Sequence, residues 1–226
     1  MKSSLKTIAG IALCLSSALI FSNPAFSEPP NLSIIREQVK NYYNTGLYQE
    51  ELTKQIKLAH QFIISQATAN QESNMPRKLA LVLDIDETSL SNYKYMVKRD
   101  FTGSSEQIHT EIMAADAPPI KPMLALYKDA LKHGVQVFFV TGRKESERQA
   151  TQINLKKAGY SNWSGLYLRP EQYAQPSIVP FKAQTRAKLV KQGYTIIAAI
   201  GDQYSDIKGG YAEKGFKLPN PFYYLP

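Results

Sequence analysis

Between Asn31 and Gln71 the apolar and polar positions follow a helical period. Leu52, Ile56, Ala59 and Ile63 recur at spacings of four, three and four, with Lys54, Gln55, Lys57 and Gln61 between them. Such spacing gathers the apolar set on one face of a helix. Gly46 separates this helix from a shorter one that carries Ile34, Ile35 and Val39, as an isolated glycine between periodic segments does. The pair is expected to pack against the main body of the chain, because the heptad-like stretch is too short for a coiled coil.

After Pro76 the pattern changes to short, nearly continuous apolar runs at Leu79–Leu83, Val135–Val140 and Thr195–Ile200, with a weaker one at Leu166–Leu168. Continuity rather than alternation predicts strands buried on both faces, as in a parallel sheet. Helical stretches lie between the runs. One starts near Pro122 and carries Met123, Leu126, Tyr127 and Leu131 up to Gly134; two others stop at Gly159 and Gly193. Glycine just beyond a helix accommodates the left-handed conformation that ends it. Helix, glycine and strand in repeated order predict an α/β fold with a parallel sheet.

The first residues read differently. Lys2 and Lys6 precede an apolar stretch from Ile8 to Phe21, and Pro24 and Ala25-Phe26-Ser27 follow before Glu28. This is the layout of a secretory leader with a cleavage site, and the stretch is too short and too broken by Ser and Gly to span a bilayer. Residues 1–27 are therefore expected to be a signal peptide, and the protein to be periplasmic or secreted with no stable membrane anchor after cleavage. The leader holds Cys14, the one cysteine of the 226 residues. Cleavage leaves 199 residues with a net charge of +6, against +8 for the whole chain, and no thiol. Thiol nucleophiles, cysteine-held metals and disulfides are then excluded. The positive charge is scattered, with no basic stripe interleaved with aromatics, so no nucleic-acid partner is expected.

Each of the three strong runs ends in polar residues: Asp84-Ile85-Asp86-Glu87-Thr88, Thr141-Gly142-Arg143, and Gly201-Asp202 through Asp206. A parallel sheet brings such ends together at its carboxyl edge, where these folds bind ligands. A single aspartate after a strand is more often a helix cap or turn residue. Here, however, four of the seven aspartates fall in two of the three sets. Converging carboxylates repel one another unless a cation lies between them, and an all-oxygen set favours a hard ion such as Mg²⁺. An aspartate attacks phosphorus competently once a metal and cations offset the phosphate charge. Asp86 could protonate a leaving oxygen and then activate water. Thr141 and the Gly142 amide offer neutral donors to phosphate oxygens. Lys182, at the start of a helix, is a candidate for the balancing cation, although spacing alone does not separate it from other lysines.

In order along the chain, these three sets and Lys182 resemble the four motifs of the haloacid dehalogenase superfamily. The run Asp86-Glu87-Thr88-Ser89-Leu90-Ser91-Asn92, the stretch Gly201–Asp206 and the ending Phe216-Lys217-Leu218-Pro219-Asn220-Pro221-Phe222-Tyr223-Tyr224 are similar to its class B acid phosphatase branch. That branch includes plant vegetative storage proteins and bacterial lipoprotein e-type acid phosphatases. The likeness covers about Lys78 to the C-terminus. It implies a Rossmann-like parallel sheet with helices on both faces, a Mg²⁺ ion and an aspartyl-phosphate intermediate. By resemblance Asp84 is the nucleophile and a metal ligand, and Asp86 is the acid/base with its backbone carbonyl on the metal. Thr141 binds phosphate, Lys182 steadies nucleophile and phosphate, Asp202 completes the metal site, and Asp206 serves it through water or from behind the direct ligands. Ser89 stands where the relatives often carry a larger aliphatic residue, and Leu13 before Cys14 is too large for a lipid-attachment site.

The expected organisation is a leader at 1–27, an N-terminal helical region at 28–77 and a phosphatase core at 78–226. Residues 91–119 are expected to form a small helical lid. The expected activity is hydrolysis of small phosphomonoesters. Nucleoside monophosphates are one candidate class, for which Tyr93, Tyr95 and Trp163 could offer stacking faces, although such aromatics more often serve as core or loop packing. The alternative is a catalytically weak binding or storage protein on the same scaffold, against which stands the retained Asp84.

Overall fold

The computed structural model describes residues 28–225; the expected leader lies outside them. Helices α1 (Leu32–Asn44) and α2 (Leu47–Gln71) come first, parted at Gly46. They are followed by β1 (Lys78–Leu83), α3 (Tyr93–Lys98), α4 (Ser105–Met113) and α5 (Lys121–Lys132). The rest of the chain forms β2 (Gln136–Lys144), α6 (Arg148–Lys157), β3 (Gly165–Arg169), α7 (Val179–Lys191), β4 (Tyr194–Gly201) and β5 (Lys214–Lys217). The glycines after α5, α6 and α7 all have positive φ, the helix-ending conformation their positions predicted. Pro122 and Pro180 stand in the first turns of α5 and α7, where a missing amide proton costs nothing.

The strands form one sheet in the order β3-β2-β1-β4-β5, with every pair parallel. Alternate residues of β1 divide between the two faces. Leu79, Leu81 and Leu83 join the larger core under α2, α5 and α6, whereas Ala80 and Val82 join the smaller one under α7. The β1–β4 register shifts between Ala80 and Leu81, so that Ala80 pairs with Ile196 and Leu81 with Ala198. Ile197 is thus an extra residue in β4, and both Ile197 and Ala198 face the larger core. The fold is the α/β arrangement expected, with two differences. β5 is a further edge strand whose sequence carries little apolar signal, and β2 runs on through Thr141-Gly142-Arg143 instead of stopping before them.

Residues 91–119 carry α3 and α4. Ser104 accepts a hydrogen bond from the Gln107 amide, and the Gln107 side chain accepts one from the Ser104 amide, which closes the first turn of α4. His109 on α4 meets Glu147 Oε1 at 2.9 Å. Tyr93 on α3 is buried, with its ring stacked on Tyr43 of α1. Trp163 packs against Phe139 in the larger core. Two of the three aromatics considered for base stacking are therefore committed to packing. Tyr95 is half-buried, and its hydroxyl donates to Asp116 Oδ1 at 2.8 Å.

Candidate active site

The carboxyl ends of β1, β2 and β4 are adjacent because β1 lies between the other two. Asp84 follows β1, and its amide donates to the Ile200 carbonyl of β4 at 3.0 Å. Asp84, Asp202 and Asp206 are all buried and each places a carboxylate oxygen within 4.8 Å of the others. Asp206 can come this close because residue 201 is glycine: a Cβ there would lie 2.1 Å from the Asp206 carboxyl carbon.

Lys182 reaches the cluster from α7, whose buried face is Lys182, Thr185, Arg186 and Leu189. Its ammonium donates to Asp84 Oδ1 at 2.8 Å and also to Asp206 Oδ1. One turn along α7, Arg186 donates to the carbonyls of Asp206 (2.7 Å) and Gly210 (2.8 Å) and so braces the loop after β4. The other oxygen of Asp206 accepts from the Gln203 amide at 2.8 Å. The Asp202 carboxylate accepts from Thr88 Oγ1 at 3.1 Å on one oxygen. Its other oxygen takes the side-chain amides of Gln203 (2.8 Å) and Asn220 (2.5 Å).

Asp86 is near but faces a different neighbour. Arg143 forks onto it, Nη2 to Oδ1 at 2.7 Å and Nε to Oδ2 at 3.0 Å, and Asn92 adds a donor at 2.8 Å. Thr141 is buried, and its hydroxyl accepts from the Arg143 amide at 3.1 Å, which keeps its own proton for another acceptor. The β2–β3 register shifts between Thr141 and Lys144, so the pairing skips Gly142 and Arg143. Every site residue predicted from sequence therefore lies at this sheet edge. Arg143 is the partner of Asp86, which its place in the Thr141-Gly142-Arg143 set does not reveal. Nor does spacing along the chain mark Asn92, Gln203 or Asn220 as partners of the site carboxylates.

Burial raises the Asp84 carboxyl well above the ordinary aspartate value; Lys182 opposes the shift and the neighbouring aspartates add to it. Burial, then Asp206, pushes Asp202 up to about 6. Burial would also raise Asp86, but the Arg143 guanidinium and the Asn92 amide outweigh it and hold Asp86 below its ordinary value. Lys182 is held above its usual value, because the Asp206 and Asp84 charges overcome the effect of burial. Glu87, buried beside them at φ +54°, is pushed up to about 8 by burial and by Asp86. Three carboxylates against one ammonium leave a local negative charge, and the donors are all oxygen. This set fits a hard divalent cation held by Asp84, Asp202 and Asp206.

Residues 20–226 match the family model described as HAD superfamily, subfamily IIIB (Acid phosphatase). The chain belongs to this family. It is 34% identical over 188 residues to Stem 28 kDa glycoprotein of Glycine max, covering 77% of this chain and 74% of that protein. Acid phosphatase 1 of Solanum lycopersicum is 34% identical over 148 residues, or 64% of this chain and 58% of that one. Among solved structures, the class C acid phosphatase from Bacillus anthracis superposes with a TM-score of 0.67 over 84% of this chain and 86% of the other. At 22% identity that likeness carries the fold alone. As a family member the chain is a phosphatase of the hydrolase class, with a small phosphoester as its substrate.

Proposed function

We propose that this acid phosphatase is a secreted, Mg²⁺-dependent phosphomonoesterase that works through a phosphoaspartate on Asp84. The observation that carries this reading is the meeting of Asp84, Asp202 and Asp206 within 4.8 Å, bridged by Lys182 and flanked by the Asp86–Arg143 pair. The bound Mg²⁺ would be held by the three carboxylates and the Asp86 carbonyl, and would supply positive charge where the phosphoryl oxygens gather theirs.

An Asp84 oxygen attacks phosphorus, forming a P–O bond to Asp84 as the ester P–O bond breaks, and Asp86 gives its proton to the leaving oxygen. Arg143 holds Asp86 ionised at neutral pH, so its acid form becomes more populated as the medium acidifies. In the second half, Asp86 takes a proton from water as that water attacks phosphorus. The bond to Asp84 breaks and inorganic phosphate leaves. Lys182 fixes the Asp84 carboxylate and offsets phosphate charge, and Thr141 with the Gly142 amide receives phosphoryl oxygens.

Removal of residues 1–27 would release a chain beginning at Glu28. Among the described residues no helix is long and apolar enough to cross a membrane. The test is hydrolysis of p-nitrophenyl phosphate by the purified protein in Mg²⁺ and in EDTA, beside the Asp84→Asn variant. Turnover is expected only with metal and only with Asp84. Near-normal turnover by Asp84→Asn would overturn the nucleophile. No turnover of any phosphomonoester in a Mg²⁺-containing panel, nucleoside monophosphates included, would favour the storage reading.

A further inference from the structure

The last described residues reach back to the sheet edge. After β5 the Leu218 amide donates to the Gly201 carbonyl at 2.9 Å, which brings the tail alongside the end of β4. Asn220 follows between Pro219 and Pro221, whose rings restrict the backbone on both sides of it. Its Nδ2 donates to Asp202 Oδ2 at 2.5 Å. Its Oδ1 accepts from the amides of Phe222 (2.7 Å) and Tyr223 (3.4 Å). The side-chain amide is therefore held in one sense, since a flip would set its NH₂ against two backbone N–H groups and its oxygen against a carboxylate.

Phe222 anchors this turn. It is buried, with ring centroids 5.0 Å from Tyr48, 5.3 Å from Tyr93 and 6.0 Å from Phe101. The tail thus rests on α2, on α3 and on the turn after α3, while its asparagine holds a carboxylate at the opposite end of the turn. The Gln203 amide shares the same Asp202 oxygen at 2.8 Å, and its own Oε1 accepts from the Leu225 amide at 3.2 Å. Both amides that orient this oxygen are therefore tied to the tail.

We infer that Asn220 is a positioning residue of the metal centre: the C-terminal tail, seated by Phe222, orients Asp202 for the cation. The inference rests on the metal-centre reading above. Hydrogen bonds to a ligating carboxylate fix its orientation, and their loss typically weakens metal binding by about 10- to 100-fold.

The experiment titrates Mg²⁺ alone into the metal-free full chain by calorimetry, for wild type, Asn220→Ala and Asn220→Ser. Serine keeps an acceptor for the Phe222 amide but is too short to reach Asp202, so it preserves the turn and removes only the contact in question. Both variants are expected to bind Mg²⁺ about 10- to 100-fold more weakly. The Mg²⁺ concentration for half-maximal turnover should rise by the same factor. Added Mg²⁺ should recover the lost turnover, and because Mg²⁺ also stabilises the native state, a melt in EDTA should show the Ser variant folded at the assay temperature. A Ser variant that binds Mg²⁺ as tightly as wild type overturns the inference. Wild-type protein that binds no Mg²⁺ overturns the metal-centre reading itself, and that result is visible before any variant is compared.

Discussion

Replacing Lys182 with methionine keeps most of the side-chain volume and removes the ammonium that bridges Asp84 and Asp206. Lys182 is 2% exposed, so solvent does little to replace it. At 2.8 Å from Asp84 Oδ1, the attraction at an effective dielectric of 20 is about 6 kcal/mol before desolvation is deducted. Removing one partner of a buried pair costs roughly 3–5 kcal/mol, because the stranded charge stays buried. For a chain of this size each kcal/mol moves the melting temperature by about 2–4 °C. The metal-free variant should therefore melt roughly 6–20 °C below wild type.

Added Mg²⁺ should act in the opposite sense. With the competing ammonium gone, the three carboxylates attract the ion more strongly, and ligand at 100 times its dissociation constant returns about 2.7 kcal/mol. Turnover of p-nitrophenyl phosphate should stay about 10²- to 10³-fold down, because the cation at the phosphoryl group is missing. The assays are thermal melts in EDTA and in Mg²⁺ beside steady-state kinetics. An unshifted metal-free melting temperature, or turnover restored by Mg²⁺, would refute the reasoning.

Acidity and metal should be coupled. Asp202 titrates near 6 in the metal-free fold against an ordinary 3.8, with Asp84 raised as well. A carboxyl raised in this way stabilises the fold fully below its unfolded value and loses that contribution as pH climbs through its folded one. The melting-temperature gain on adding Mg²⁺ should therefore widen between about pH 5 and pH 7.5, and an equal gain at both would contradict it. Arg143→Lys keeps the charge but loses the fork that aims Asp86. Its kcat/KM should fall by about 10²-fold for an alkyl phosphate, whose leaving oxygen needs a proton. For p-nitrophenyl phosphate, which leaves without one, it should change by less than about three-fold; equal losses for both esters would remove Arg143 and Asp86 from proton donation.

The sheet was legible in the chain because a strand covered on both faces must be apolar at nearly every position, as Leu79–Leu83 and Thr195–Ile200 are. Helix ends were legible because only glycine enters the left-handed region at little cost. Candidate ligands could be read off because each polar set follows directly on a buried run. β5 escaped this logic: of Lys214–Lys217 only Phe216 is buried, and an edge strand with one partner carries almost no apolar signal.

What tertiary structure alone decided is which polar groups meet. Arg143 lies 57 residues from Asp86, and Asn220 lies 18 residues beyond Asp202 across an edge strand and a turn. Periodicity records only which way a side chain faces along its own element. The sheet order β3-β2-β1-β4-β5 is what brings those ends side by side, and the packing of Phe222 among Tyr48, Tyr93 and Phe101 is what returns the tail to them. The same packing settled the fate of Tyr93: an aromatic near a site can serve as a platform or as core, and the ring of Tyr43 against it makes it core.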